Sequence, residues 1–283
     1  MTSYHRKITH TKLQKVQRLA LLFICGGMKS SPTEGMEAIL NIPPLFLYIE
    51  SEAIIENYRA ETSELPEIRR LADSIVKKMG EESCELLKVL LTDQMKSRII
   101  GNKKYSIKIP DREYWKNSLL IMKEYNKIYY TDGSKTQSGV GAGIYGDSYE
   151  LCFSLGNLAT IFQAELVAIN VCVLQLLSDD VINKNIAICS DSQAVIKALN
   201  KQETKSKLTW ECYSNLSKLS ERNNVTIVWV PGHSGIEGNE KLDELAKKGA
   251  EQQYIGPEPV FGLPMSSLKN SKKEWLKARS IDY

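Results

Sequence analysis

The sequence predicts an α/β domain with a mixed five-stranded sheet and flanking helices, preceded by a mainly helical segment. Two observations lead to this prediction. From residue 126 onward, three strand-like runs follow one another and then alternate with helical runs, which is typical of a mixed sheet. Before residue 126 the chain is more charged, and its apolar residues recur at helical spacing over the first 60 positions.

Length and composition are those of an ordinary globular protein. The 283 residues are 42% hydrophobic and 25% charged, and the net charge of +3 indicates a mild preference for anionic partners. The six cysteines are scattered without a C-x-x-C pair, and only three histidines are present, so a zinc site is not expected. Cysteines inside apolar runs indicate an intracellular protein, cytoplasmic or nuclear rather than secreted.

The first predicted segment, residues 1–125, contains three helices near its start. They cover residues 11–26, residues 31 up to the Pro-Pro pair at 43, and residues 45–59. The first helix begins like a signal peptide, with basic residues before a short apolar run. That run is too short to span a bilayer and lacks a clean cleavage pattern, so we expect an amphipathic helix and no membrane partner.

The second predicted segment, residues 126–252, is the α/β domain. Strand-like runs occur at 127–131, 139–146, 149–155, 185–190 and 225–230, and helical runs at 162–178, 192–200, 208–222 and 236–251. The third segment, residues 253–283, begins with turn-forming residues and ends in a basic helix.

Two motif matches in the α/β domain are better explained by structure than by catalysis. GAGIYG, residues 141–146, fits the dinucleotide pattern G-x-G-x-x-G, but it lies in a strand-like run that no helix follows. GHSGI, residues 232–236, begins like a nucleophile elbow but has Ile236 in place of the last glycine. We therefore expect neither a small-molecule cofactor nor serine hydrolase chemistry.

Four acidic residues are candidates for a metal site. Asp132 and Asp191 each follow a strand-like run, although Asp132-Gly133 could be a turn and Asp191 could cap the next helix. Glu165 lies near the start of a helix that is apolar almost all round, where a charged group requires a partner. Asp243 lies at the margin of the packed face of the last domain helix.

These carboxylates meet if the strands before Asp132 and Asp191 are parallel neighbours. Both side chains then emerge at one sheet edge, where a crossing helix could bring Glu165 beside them. Clustered carboxylates repel one another unless cations neutralise them, and oxygen ligands without cysteine or histidine favour Mg²⁺. Two such ions support phosphodiester hydrolysis, so the sequence predicts a site for two Mg²⁺ ions, with Mn²⁺ as a substitute.

Four motifs that contain these residues resemble type 1 ribonuclease H and occur in that family's order. They are YTDGSK, FQAEL, ICSDSQAVIKAL and WVPGHSGIEGNEKLDELAKKGA. The variant is similar to the ribonuclease H domain of non-LTR retrotransposon reverse transcriptase polyproteins of the R1 or Jockey kind. Residues 11–60 resemble the segment after the polymerase palm, and the tail resembles the post-ribonuclease extension. The resemblance implies a ribonuclease H-like fold and a carboxyl-terminal fragment of such a polyprotein.

The resemblance also implies an activity and a set of site residues. The activity is endonucleolytic hydrolysis of the RNA strand of RNA–DNA hybrids, giving 5′-phosphate and 3′-hydroxyl ends. The implied metal ligands are Asp132, Glu165, Asp191 and Asp243, with His233 assisting product release or proton movement. The implied substrate contacts are Gly133, Ser134, Gln193 and Asn239. From the residues alone, Ser134 and Gln193 could equally be an ordinary turn residue and a solvated helix residue.

Two departures from the family pattern concern contact with the hybrid. Ile161-Phe162 stand where cellular enzymes have an Asn pair, and the linker NKQETKSKL (residues 200–208) is too short for the extra basic helix of many cellular enzymes. Three lysines in that linker form a reduced basic surface. The alternative function is a non-catalytic, nucleic-acid-binding remnant of a retrotransposon, because we find no polymerase palm in this sequence.

Overall fold

The chain divides into two compact units. The computed structural model describes residues 3–61, 92–113, 115, 122–147, 149–258 and 260–281. One unit comprises Met1–Leu90 with Met265–Tyr283, and the other comprises Leu91–Pro264. The second unit extends beyond the predicted 126–252 domain on both sides, because strands before residue 126 and the segment after residue 252 pack within it.

The helices and strands of the described residues are numbered in chain order. They are α1 (Ser3–Cys25), α2 (Thr33–Leu40), α3 (Leu45–Glu61), β1 (Gln94–Ile99), β2 (Ser106–Lys108), β3 (Lys127–Lys135), β4 (Val140–Gly146), β5 (Tyr149–Ser154), α4 (Ile161–Ser178), β6 (Asn185–Ser190), α5 (Gln193–Asn200), β7 (Glu203–Ser206), α6 (Lys207–Leu219), β8 (Asn224–Trp229), α7 (Glu237–Glu251) and α8 (Met265–Ile281).

The larger unit is built on a mixed sheet of six strands in the order β2-β8-β6-β3-β4-β5. β3, β4 and β5 are antiparallel neighbours, whereas β3, β6, β8 and β2 are paired in parallel. The mixed sheet is confirmed, but the predicted count of five strands is corrected to six. The additional strand β2 has only three residues and soon reaches Pro110, so its alternation is too short to detect in the sequence.

The Asp132-Gly133 pair is not a turn. Strand β3 continues through both residues to Lys135, and its turn lies further on, where Thr136 N donates to Gly139 O at 2.9 Å. Beyond Tyr130 the strand loses its parallel partner β6 but keeps its antiparallel partner β4. Asp132 therefore lies beyond the last residue of β3 that pairs with β6. The predicted strand end at residue 131 is corrected, because β3 continues to Lys135.

Helices α4 and α7 cover opposite faces of β3 and β4. Gly133 faces α4, and its cross-strand partner Ala142 shares that face, so the adjacent Gly141 points to the other face. There an ideal Cβ at Gly141 would lie 2.1 Å from Ala250 N of α7, so only glycine permits this close packing. Gly141 and Gly143 thus allow α7 to pack closely on strand β4, and the motif GAGIYG lies within a strand, as predicted.

Helix α4 is the central helix of this unit. Its length and composition would suffice to cross a membrane, but most of its residues are buried against the sheet and α6. The apolar character of α4 is therefore explained by its position in the core, and Glu165 is one of the buried residues.

A two-stranded antiparallel ribbon lies beside the main sheet. It pairs β1 with β7, so part of the linker between α5 and α6 is a strand, which was not predicted. Because the two strands are about 100 residues apart in sequence, local patterning does not reveal their pairing.

The smaller unit is helical, in agreement with the prediction for the first 60 residues and for the tail. Among the described residues of this unit, the helices are α1, α2, α3 and α8. Gln17 on α1 fixes the junction between α2 and α3, because its amide donates to Pro43 O at 2.9 Å and accepts from Leu45 N at 2.5 Å. Helix α8 is tied to α3 by the ion pair between Lys272 and Glu52 at 2.6 Å.

Candidate metal centre

Three of the four candidate carboxylates converge at one edge of the sheet. β3 and β6 are parallel neighbours with Tyr130 opposite Cys189, so Asp132 and Asp191 each lie two residues beyond this pair. Glu165 reaches the same place from α4. One carboxylate oxygen from each of the three residues lies within 4.8 Å of the other two.

Gly133 brings α4 close enough for this convergence. An ideal Cβ at Gly133 would lie 2.5 Å from Glu165 N and 2.7 Å from Ala164 Cβ, distances that a real side chain would not tolerate. The absence of a side chain therefore lets the backbone of α4 approach β3 directly beside Asp132. Gly133, which the resemblance implies to be a substrate contact, has this packing role in the structure.

Burial and mutual repulsion raise the pKa values of the carboxyl groups in this cluster. Glu165 is only 5% exposed, and its pKa is raised by burial first and then by Asp132 and Asp191. Burial and Asp191 likewise raise the pKa of Asp132. Burial also raises the pKa of Asp191, although nearby His233 acts in the opposite direction. Ionising all three buried carboxyl groups costs free energy, and a bound cation would offset that free energy by neutralising their charge.

The donor set fits a divalent cation. Glu165 Oε2 is buried and has no hydrogen-bond partner among the described residues, so it is available as a ligand. All three residues offer hard oxygen donors, which suit Mg²⁺ or Mn²⁺ better than softer metals.

Asp243 lies nearby but outside this group of three. It contributes to the raised pKa of both Asp132 and Asp191, which places it in the same electrostatic environment. Its Oδ2 accepts a hydrogen bond from Lys247 Nζ at 2.6 Å, one turn further along α7. The fourth predicted ligand is therefore half-buried and paired with a lysine in this structure.

Comparison with known proteins finds a family match for the part of the chain that contains these residues. The RNase H family model matches residues 124–251. We call residues 124–251, which match this family model, the RNase H domain. The chain outside this match comprises the smaller unit, strands β1 and β2, and the segment between α7 and α8.

Similar proteins include two bacterial ribonucleases H. Ribonuclease H of Francisella philomiragia is 50% identical over 52 residues, which are 18% of this chain and 32% of that protein. Ribonuclease H of Francisella tularensis subsp. novicida is 50% identical over 60 residues, 21% of this chain and 37% of that protein. The chain thus spans about a third of the length of these curated relatives.

Two solved structures are also similar to part of the chain. RNase H1 from Halobacterium salinarum aligns with a TM-score of 0.35 at 22% identity, over 44% of this chain and 96% of that chain. The foamy viral protease-reverse transcriptase in complex with an RNA/DNA hybrid aligns with a TM-score of 0.38 at 22% identity, over 44% of this chain and 20% of that chain.

The remaining predicted site residues lie in different environments. His233 is exposed on the loop after β8 and has a positive φ of 49°. Gln193 is the exposed first residue of α5, and its amide oxygen accepts from Lys197 Nζ at 3.2 Å. Ser134 is half-buried in β3, whereas Asn239 is buried near the start of α7.

One residue that supports the centre was not predicted. Trp229, the last residue of β8, donates its indole N–H to Asp191 O at 3.1 Å and so holds the backbone of a cluster residue. The signal in the sequence is an aromatic donor at the end of a buried strand, in the motif WVPGH, which also contains His233.

We expect the metal-free RNase H domain to lose stability as the pH rises. The folded-state pKa values of Asp132 and Glu165 exceed those of unfolded carboxyls, about 4, so the folded state binds more protons. Its stability therefore falls as the pH rises from about 4 through the folded-state pKa, which is about 7 for Asp132. Glu165→Gln should therefore raise the free energy of unfolding at pH 8 by about 1–3 kcal/mol. Thermal unfolding in chelator at pH 5 and pH 8 measures this.

The control is Glu244→Gln, the same change at an exposed position of α7. Its unfolding temperature should follow that of the unmodified protein at both pH values. A Glu165→Gln variant that is less stable than the unmodified protein at pH 8 would contradict the electrostatic account of the cluster.

Proposed function

We propose that the chain hydrolyses the RNA strand of RNA–DNA hybrids endonucleolytically, using divalent cations held by its carboxylate cluster. The observation that carries the proposal is the convergence of Asp132, Glu165 and Asp191 within 4.8 Å inside an RNase H domain. Bound Mg²⁺ would supply Lewis-acid activation of water and stabilisation of the leaving oxygen, and two ions are the arrangement we favour.

Different residues of the site have different roles in the proposed reaction. Asp132, Glu165 and Asp191 would hold the cations. Asp243 is paired with Lys247 and would be a further ligand once that ion pair opened. His233 lies on an exposed loop next to Asp191, where it can accept or donate a proton as the 3′-hydroxyl product departs.

Recognition of the hybrid has to depend on more than phosphate charge. Hybrid and duplex DNA offer similar backbones, so discrimination comes from the 2′-hydroxyl and from the shape of the minor groove. Gln193 is exposed two residues after Asp191, and Ser134 lies two residues after Asp132. We assign both side chains to contact with the RNA strand beside the cations.

Gln193→Ala should lower cleavage of the hybrid several-fold, because it removes about one hydrogen bond worth ~0.5–1.5 kcal/mol. Affinity for duplex DNA should not change, since duplex DNA lacks the hydroxyl that Gln193 would contact. Gln202→Ala, at an exposed position in the linker after α5, is the matched control and should leave both quantities unchanged. Equal losses on hybrid and duplex DNA would make Gln193 a general contact.

We propose that the chain belongs to a non-LTR retrotransposon polyprotein. The support is the resemblance of its four RNase H motifs and of both flanking segments to the R1 and Jockey kind. The competing function is a non-catalytic remnant that binds nucleic acid. An intact acidic cluster favours catalysis, because a remnant without selection for chemistry has no reason to bury three mutually repelling carboxylates.

The proposal is tested with matched duplexes of one sequence. Hybrid, duplex RNA and duplex DNA are incubated with the full chain in Mg²⁺, in Mn²⁺ and in chelator. The expected result is cleavage of the hybrid alone, in either metal and not in chelator. Binding of all three duplexes without cleavage would support the remnant instead.

A further inference from the structure

The capping box at the start of α4 includes a buried side chain that needs a hydrogen-bond acceptor from outside the helix. Thr160 Oγ1 accepts from Gln163 N at 3.2 Å, and Gln163 Oε1 accepts from Thr160 N at 3.1 Å, which together form a capping box. The capping box uses the amide oxygen of Gln163. Because this side chain is only 1% exposed, its amide nitrogen requires an acceptor other than water.

The acceptor comes from the segment after α7, which lies outside the RNase H match. We call residues 253–258 and 260–263 the anchor segment. Gln163 Nε2 donates to Gly262 O at 2.9 Å. In addition, both carboxylate oxygens of Glu258 accept from Asn157 N at 3.1 Å, in the turn that leads into α4. The anchor segment therefore holds the start of α4 at two points.

The anchor segment is itself fixed by the chain before the RNase H domain. An ideal Cβ at Gly262 would lie 2.1 Å from Thr92 C, so the two backbones touch without an intervening side chain. Asp93 N donates to Leu263 O at 3.2 Å, and Asp93 O accepts from Lys207 N at 2.8 Å, at the start of α6. These contacts form a continuous connection from α6, through residues 92–93 and the anchor segment, to α4.

We propose that Gln163 is a positioning residue for the metal centre and that the anchor segment completes that centre from outside the RNase H match. The inference rests on the proposed function. Glu165 is two residues beyond Gln163 near the start of α4, and its carboxyl meets Asp132 and Gly133 of β3 from that helix. Its placement relative to Asp132 and Asp191 therefore depends on where the start of α4 is held.

The decisive variant is Gln163→Glu in the full chain. Glutamate still completes a capping box but cannot donate to Gly262 O when ionised. We expect the dissociation constant for Mg²⁺, measured by calorimetry, and the Mg²⁺ concentration for half-maximal cleavage to rise about threefold to tenfold, the equivalent of about one hydrogen bond. KM for the hybrid at saturating Mg²⁺ should not change.

The direction of the change in Mg²⁺ affinity shows whether Gln163→Glu acts through the geometry of the site or through its added charge. An added carboxylate near the cluster would by itself strengthen cation binding, so weaker binding indicates a displaced Glu165. Gln175→Glu is the matched control, because it makes the same substitution at the opposite end of α4, where Gln175 Nε2 donates to the exposed Asp179 at 3.2 Å. Its Mg²⁺ affinity should equal that of the unmodified chain.

A second pair of variants tests the anchor segment without touching α4. Glu258→Ala removes the acceptors of Asn157 N and should weaken Mg²⁺ binding in the same direction, whereas Glu258→Gln keeps one acceptor oxygen and should restore it. Unchanged Mg²⁺ affinity in both Gln163→Glu and Glu258→Ala would overturn the inference, as would an unmodified chain that binds no Mg²⁺. A chain that binds Mg²⁺ yet cuts no hybrid would contradict only the proposed function.

Discussion

Asp191→Asn is expected to reduce hybrid cleavage by about a hundredfold to ten-thousandfold while the protein remains folded. The loss is expected because a cation held in the cluster would stabilise the transition state by several kcal/mol, and the amide is a weaker, neutral ligand. The fold should survive because the substitution is isosteric and Asp191 O keeps its hydrogen bond from Trp229. Single-turnover cleavage rates and thermal unfolding measure the two effects.

The control for this variant is Asp180→Asn. Asp180 follows α4 at its far end, pairs with Arg222 at 2.5 Å on the surface, and has a positive φ of 52° that asparagine tolerates well. It should cleave at the unmodified rate. Near-normal cleavage by Asp191→Asn would refute the role of the cluster, whereas a folding defect in that variant would be visible in its unfolding curve.

Gly133→Ala is expected to damage both stability and cleavage. The new Cβ would lie 2.5 Å from Glu165 N, so α4 has to move away from β3. Overpacking of this kind costs about 1–3 kcal/mol of unfolding free energy. The shift also displaces Glu165 from Asp132, and a misplacement near 1 Å can cost about a hundredfold in rate.

Gly101→Ala is the matched control, because Gly101 is exposed and an added Cβ there would meet no atom within 4 Å. It should be neutral in unfolding temperature and in rate. If Gly133→Ala unfolded and cleaved like the unmodified chain, the close approach of α4 to β3 would not be what positions Glu165.

The sequence predicted those features of the site that depend on local patterns. Two apolar runs that each precede an aspartate indicated two strands with a carboxylate at the end of each, and the structure shows that these strands are parallel neighbours. The uniform apolarity of α4 indicated that Glu165 is buried and needs a partner. Both features depend on strand and helix periodicity within about twenty residues, which a single sequence displays.

The features that the sequence did not predict depend on contacts between distant residues. β3 continues past Asp132 only because β4 pairs with it on its other side. Strand β2, the β1–β7 ribbon and the hydrogen bond from Gln163 to Gly262 each join segments about 100 residues apart. No pattern within one segment encodes its partner, so these features became visible only in the structure.

The most direct test of the central claim is strand-resolved cleavage of one hybrid. The RNA and DNA strands carry different fluorophores, and the full chain is added with Mg²⁺ alongside the Asp191→Asn variant. We predict that the unmodified chain shortens only the RNA strand, leaving 5′-phosphate and 3′-hydroxyl ends, and that the variant leaves both strands intact. An intact RNA strand with the unmodified chain, or equal cutting by the variant, would contradict the account.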